Sequence, residues 1–315
     1  MKILIVGAGA LGGYFGARLL AAHRDVTFLL RPGRAAQLAK SGLVVKSRFG
    51  DLALPPPPHL LAGNLVTHFD VVIVGCKAYD LAQTMESFAP AVGPGTAILP
   101  LLKGMRHLDQ LVARFGERHV LGAQCMISAV LDKDGAVLHL NDIHKLAFGE
   151  RDGSDSARVA ALTAAFADAN FDSAPGNDIV QQMWEKMWEK WVFIAAGAGM
   201  TTLMRGAIGD IIAGGGAALN TAMLAECEAI AAHNGHAPRA PASERARAFL
   251  TAPGSMMTAS MLKDMERGAA TEADHIIGDL IGRGDGKREA LPLLTLAYTH
   301  LQTYAARRAR ETPAP

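Results

Sequence analysis

Lys2-Ile3-Leu4-Ile5-Val6-Gly7-Ala8-Gly9-Ala10-Leu11-Gly12 is the stretch on which the fold turns. Residues 2–6 are a short apolar run that reads as a buried strand, and residues 10–22 have helical spacing. Between them, Gly7 to Gly12 matches G-x-G-x-x-G. The pattern is weak by itself. Here it follows an apolar strand and opens a helix at the start of a βαβ unit, which is the context it requires. Gly7 allows the tight turn, Gly9 lets the backbone approach a pyrophosphate, and Gly12 lets helix and strand pack closely. The helix N-terminus offers unpaired amides and a partial positive charge to phosphate. Gly7, Ala8, Gly9, Ala10, Leu11 and Gly12 are therefore assigned to dinucleotide binding. The competing assignment is an ordinary glycine-rich turn.

Working outward, short apolar runs at 26–30, 71–74 and 97–102 alternate with helical patterns. Strands that are apolar on both faces indicate a parallel sheet covered on both sides. The expected fold class is α/β at the N-terminus, a doubly wound Rossmann domain. Residues 55–58 are four prolines and cannot join a ladder, so they form a loop. Within 124–140, two β-like runs flank Asp132-Lys133-Asp134-Gly135, a hairpin signal. The second half reads as all-α. A long helix is expected over 178–196, with others near 216–233, 243–250, 255–267, 271–282 and 292–309. Pro292 suits a helix start, and Gly235 and Gly268 suit helix ends. The boundary is placed near Gly176, giving residues 1–176 to the dinucleotide and 177–315 to a helical substrate domain.

Composition narrows the function classes. The chain has 315 residues, half of them hydrophobic, with a formal net charge of +1. That charge gives no basic excess for nucleic acid and no acidic excess typical of a disordered chain. Cys76, Cys125 and Cys227 lack C-x-x-C spacing, which argues against a disulfide framework or a zinc site and for reduced thiols in the cytoplasm. The apolar run at the start is too short for a signal peptide or a bilayer span, so no membrane association is expected. The eleven histidines show no H-E-x-x-H, and no metal is expected. No G-x-S-x-G points to a serine hydrolase.

The second strand bears on cofactor choice. An acid at its end would bind the ribose hydroxyls of NAD, but the chain there reads Leu29-Leu30-Arg31-Pro32-Gly33-Arg34. A guanidinium can pair with a 2′-phosphate through two parallel hydrogen bonds, so NADPH is the expected cofactor. Both arginines could also be solvated loop charges.

These features resemble the ketopantoate reductase (2-dehydropantoate 2-reductase) family over nearly the whole chain. The resemblance is carried by KILIVGAGALGGYFGARL at the start, LLR at Arg31, VVIVGCKAYD around Lys77 and LPLLKGM around Gly104. MWEKW around Lys190 and SMLKDMERGAATEADHIIGDLIGRG near the end continue it. It implies a Rossmann domain plus an all-helical domain with the site in the cleft. It also implies NADPH-dependent reduction of ketopantoate to pantoate, a step of pantothenate biosynthesis. By resemblance, Arg31 and Lys77 contact NADPH, Lys190 is the catalytic lysine, and Ser260 and Glu272 hold substrate, with Glu272 counted among the catalytic residues. A homodimer is left open. Several positions depart from the pattern. Lys103 stands where the family has asparagine, and Ile194, Ala198 and Ile208 fall on further asparagine positions. Lys103 could bind a substrate carboxylate or a cofactor phosphate, or point to solvent.

The implied chemistry needs a proton donor for the ketone oxygen. A lysine in a partly desolvated cleft has a lowered pKa and can supply that proton near neutrality. Lys190 is chosen over Lys186, which repeats the same Trp-Glu-Lys context one turn earlier. Glu272 would accept a hydrogen bond from a substrate hydroxyl or orient the lysine. Trp184, Trp188 and Trp191 read as packing rather than as a ligand cage. Met256, Met257, Met261 and Met265 read as core filling, or as the lining of a more apolar pocket. Three functions stay in view: a 2-keto acid reductase, a reductase of a less polar keto substrate, and an NADPH-binding sensor without turnover.

Overall fold

The computed structural model describes residues 1–175, 180–285 and 288–311. The chain divides into two compact units, residues 1–102 with 107–183, and residues 103–106 with 184–315. The expected boundary at Gly176 and the helix start at Asp178 lie outside the described residues, as do the side chains of Trp184 and Lys186.

The first unit is built on a five-stranded parallel sheet of β1 (Lys2–Val6), β2 (Asp25–Leu30), β5 (His59–Leu61), β6 (Val71–Val74) and β7 (Ala97–Pro100). The spatial order is β5-β2-β1-β6-β7. Residues 3–6 and 71–74 are buried throughout, because helices cover both faces of the central strands. The strand order reverses between β1 and β6, the switch point at which such sheets bind ligands beyond their carboxyl ends. The helices are α1 (Ala10–Ala21), α2 (Pro32–Ser41), α3 (Leu81–Phe88), α4 (Arg106–Phe115) and α5 (Ala157–Phe166).

Two small sheets complete the unit. One is ordered β4 (Leu52–Leu54), β3 (Leu43–Lys46), β10 (Val137–His139), β9 (Ala129–Leu131). The other is ordered β12 (Asp172–Pro175), β11 (Lys145–Gly149), β8 (Gly122–Met126). β9 and β10 form the expected hairpin. Asp132 Oδ1 accepts from the amides of Asp134 and Ala136, and Gly135 takes φ +86°, so the acid and the glycine each do what the turn needs.

The second unit is helical: α6 (Val180–Met204), α7 (Ile208–Ala213), α8 (Ala217–His233), α9 (Ala240–Leu250), α10 (Ser260–Glu266), α11 (Asp279–Arg283) and α12 (Pro292–Glu311). A π-helical turn, Asp274–Gly278, leads directly into α11. Two expectations are corrected. The helix expected over 255–267 begins only at Ser260, because Ser255 and Met257 give their carbonyls to the first amides of α7. Gly209 permits that approach, since a Cβ there would lie 2.5 Å from Ser255 N. The long helix runs past residue 196 to Met204. Thr201 and Thr202 return their hydroxyls to the carbonyls of Gly197 and Ala198, so neither side chain breaks the helix.

Candidate active site

The two units supply separate sets of residues. In the first, the glycine turn leaves β1 with Gly7 N donating to Leu29 O at 3.0 Å. Gly7 takes φ +89°, a conformation that L side chains rarely adopt. A Cβ on Gly12 would lie 2.1 Å from Gly7 O, so any side chain there would break the turn. At Gly9 an added Cβ would meet no protein atom within 4 Å. Backbone conformation therefore accounts for Gly7 and close packing for Gly12, whereas at Gly9 a group lying against the backbone would account for glycine. The turn thus fits a dinucleotide pyrophosphate at the N-terminus of α1, with Ala8, Ala10 and Leu11 alongside. Gly75, at the end of β6, closes on the turn, where a Cβ would lie 3.2 Å from Gly12 N.

Arg31 and Lys77 follow the carboxyl ends of β2 and β6, the two neighbours of β1. Arg31 is mostly exposed, and its Nη2 lies 3.1 Å from Asp80 Oδ2. Arg34, the second arginine of that segment, behaves differently. Its Nε donates to Ala8 O at 2.9 Å, its Nη1 to Gln37 Oε1 at 2.5 Å and its Nη2 to Gly135 O at 3.0 Å. It braces the glycine turn against α2 and the β9–β10 hairpin. Burial pushes its pKa down, with Asp132 acting in the opposite direction.

In the second unit, Lys103 Nζ donates to Ser260 Oγ at 3.1 Å, joining two of the expected substrate residues. Gly104 (φ +76°) follows, where a Cβ would lie 3.2 Å from His275 O and 3.4 Å from the His275 ring. His275 was not expected from the sequence. It is buried, hydrogen-bonded to the Lys103 backbone, and close enough to Glu272 to feel its charge. Burial pushes its pKa down, and Glu272 pulls in the opposite direction. Glu272 is itself buried, at 8 % exposure, and its carbonyl accepts from the amides of His275 and Ile276 as the π turn begins. Lys103, Ser260, His275 and Glu272 are thus linked in one connected group.

Lys190 is half-buried on α6, on the same face as half-buried Ile194. Its neighbours are fixed. Glu189 is held by Arg239, with Nε to Oε1 at 2.6 Å and Nη2 to Oε2 at 2.8 Å. Trp188 stacks on His236, and Trp191 Nε1 donates to Ile276 O at 2.8 Å, tying this part of α6 to the π turn. Both tryptophans are buried packing residues. Ala198 and Ile208, at two of the asparagine positions, are core residues at 1 % and 0 % exposure. Met261 and Met265 are also core, whereas Met256 is 83 % exposed.

The fold is a Rossmann unit followed in sequence by an all-helical unit, and the family comparison agrees with it. The model described as "Ketopantoate reductase PanE/ApbA" matches residues 3–153, and "Ketopantoate reductase PanE/ApbA C terminal" matches residues 182–305. The chain belongs to the ketopantoate reductase family and is an oxidoreductase. It is 38 % identical to "Uncharacterized oxidoreductase YkpB" of Bacillus subtilis, over 97 % of this chain and 99 % of that one. A 2-dehydropantoate 2-reductase of Mesorhizobium japonicum is 26 % identical, over 88 % of this chain and 89 % of that one. The crystal structure of 2-dehydropantoate 2-reductase from Geobacter metallireducens is 29 % identical, covers 96 % of this chain and 99 % of that one, and has a TM-score of 0.84. No helix among the described residues is long and apolar enough to cross a membrane.

Proposed function

We propose that the protein reduces a 2-keto acid to the 2-hydroxy acid with NADPH. The observation that carries this reading is the Lys103–Ser260 pair, a cation and a hydroxyl 3.1 Å apart in the same group as Glu272. An ammonium beside a hydroxyl suits a substrate carboxylate through charge-assisted hydrogen bonds. Lys103 thereby replaces the amide of the family pattern with a full charge.

A bound dihydronicotinamide supplies the hydride. In that reduction Lys190 Nζ would give the ketone oxygen its proton. Glu272 accepts a hydrogen bond from the new hydroxyl or holds the lysine in line. Lys103 and Ser260 hold the carboxylate. Gly7, Ala8, Gly9, Ala10, Leu11 and Gly12 hold the pyrophosphate, Lys77 contacts the cofactor, and Arg31 pairs with the 2′-phosphate. The same reading places the protein in the cytoplasm.

Ketopantoate, reduced to pantoate for pantothenate biosynthesis, is the substrate suggested by the names of the relatives. A less polar 2-keto acid is the second reading. Ile194 beside Lys190, with Ala198 and Ile208 in the core, favours it by removing amides that would bind a substrate hydroxyl. Incubation with NADPH and a keto acid, followed by chiral chromatography of the product, tests the reaction. Formation of one 2-hydroxy acid enantiomer is expected. Failure to convert any 2-keto acid would overturn the reading.

A further inference from the structure

The end of β2 carries no acid, but the turn after β6 brings one to the tip of the Arg31 side chain. Asp80 lies in the turn after β6, and its Oδ2 is 3.1 Å from Arg31 Nη2. β2 and β6 flank β1 on either side, so the pair spans the end of β1, where the glycine turn begins. The Asp80 backbone is fixed by its amide donating to Lys77 O at 3.0 Å. Arg34, the other cation of the segment, is committed to Ala8, Gln37 and Gly135. Arg31 therefore meets the adenosine end with a carboxylate already beside it.

An arginine after the second strand can accommodate a 2′-phosphate, and an acid at the end of that strand binds the 2′-hydroxyl of NAD. Here the arginine follows β2, and the acid reaches its guanidinium from the turn after β6. We propose that Asp80 is a cofactor-specificity residue, opposing the 2′-phosphate of NADPH at Arg31 and accepting hydrogen bonds from the ribose hydroxyls of NADH. The site then binds both dinucleotides and prefers NADPH only modestly. A 2′-phosphate brings nearly two negative charges to within a few ångströms of the Asp80 carboxylate. Even in a water-like medium that repulsion changes affinity on the order of tenfold.

The inference rests on the dinucleotide reading given above, and calorimetric titration of the full chain separates the two. NADPH and NADH are titrated into the unmodified protein, Asp80→Asn and Arg31→Ala. Asp80 makes no side-chain capping bond at the start of α3, so asparagine removes charge without removing a cap. Asp80→Asn is expected to tighten NADPH roughly tenfold and to leave NADH unchanged or weaker. Arg31→Ala is expected to erase the preference for NADPH while NADH still binds. Unchanged or weakened NADPH binding in Asp80→Asn would overturn the role of Asp80, as would an unmodified protein that binds NADPH but not NADH. Binding of neither dinucleotide to the unmodified protein would overturn the reading of the glycine turn itself, and this inference with it.

Discussion

Lys190 carries the largest expected kinetic effect of any single side chain. A positioned general acid contributes roughly 10²–10⁴-fold to rate. Lys190→Ala is expected to lower kcat by about that factor and to leave NADPH affinity nearly intact, as steady-state kinetics and calorimetry would show together. Lys186→Ala should do much less, because one helical turn displaces it by about 5–6 Å. The opposite ranking would reverse the assignment. Lys103→Asn restores the family's residue but removes the charge beside Ser260, so KM for the keto acid should rise; an unaltered KM would retire Lys103 from the site. His275 makes a prediction about pH. Its folded pKa lies below the ordinary 6.5 because the ring is buried. Below about pH 6.5 the unfolded chain takes up a proton that the folded imidazole refuses. Stability should therefore be flat above that pH and fall as pH drops towards the folded value. His144 in the first unit, also shifted down by burial, should act in the same direction. Denaturant unfolding at a series of pH values should show a shallower acid slope in His275→Phe than in the unmodified protein; an unchanged slope would rule the residue out.

Among the elements, the glycine turn is the most constrained. Gly12→Ala puts a methyl 2.1 Å from Gly7 O, where only backbone movement could relieve it. The variant should lose dinucleotide binding and about 1–3 kcal/mol or more of stability, measurable by calorimetry and denaturant titration. Full retention of binding would mean that the turn is not the pyrophosphate site. This turn was legible in the sequence because strand, glycines and helix are contiguous there, and so was the β9–β10 hairpin, whose Asp132 and Gly135 act locally. Contacts between distant segments were not legible. The bonds of Arg34 to Ala8 and to Gly135, from a remote hairpin, had no local signal. Asp80 was visible in the quoted VVIVGCKAYD, but the pairing of β1 with both β2 and β6 is what sets it against Arg31. His275 sat within a matched motif, and no local pattern shows that its ring reaches the Lys103 backbone. The helix α7 was missed although Asp210 accepts from the Ala207 amide at 2.9 Å, because its next amides bond to the distant carbonyls of Met257 and Ser255.

At the scale of the molecule, two units with different chemistry divide the labour. The first is a parallel sheet whose switch point gathers the glycine turn, Arg31 and Lys77. The second is a helical body that links Lys103, Ser260, His275 and Glu272, with Lys190 on a helix tied to the same π turn. The central claim is that these two sets serve one reaction, the NADPH-dependent reduction of a 2-keto acid. The most direct measurement follows the loss of dihydronicotinamide absorbance across a panel of 2-keto acids that includes ketopantoate and less polar analogues, with simple ketones lacking the carboxylate as controls. Turnover of at least one 2-keto acid is expected, faster with NADPH than with NADH, and none of the matching ketone. Equal turnover of the ketone, or no turnover of any 2-keto acid by a protein that binds NADPH, would contradict it.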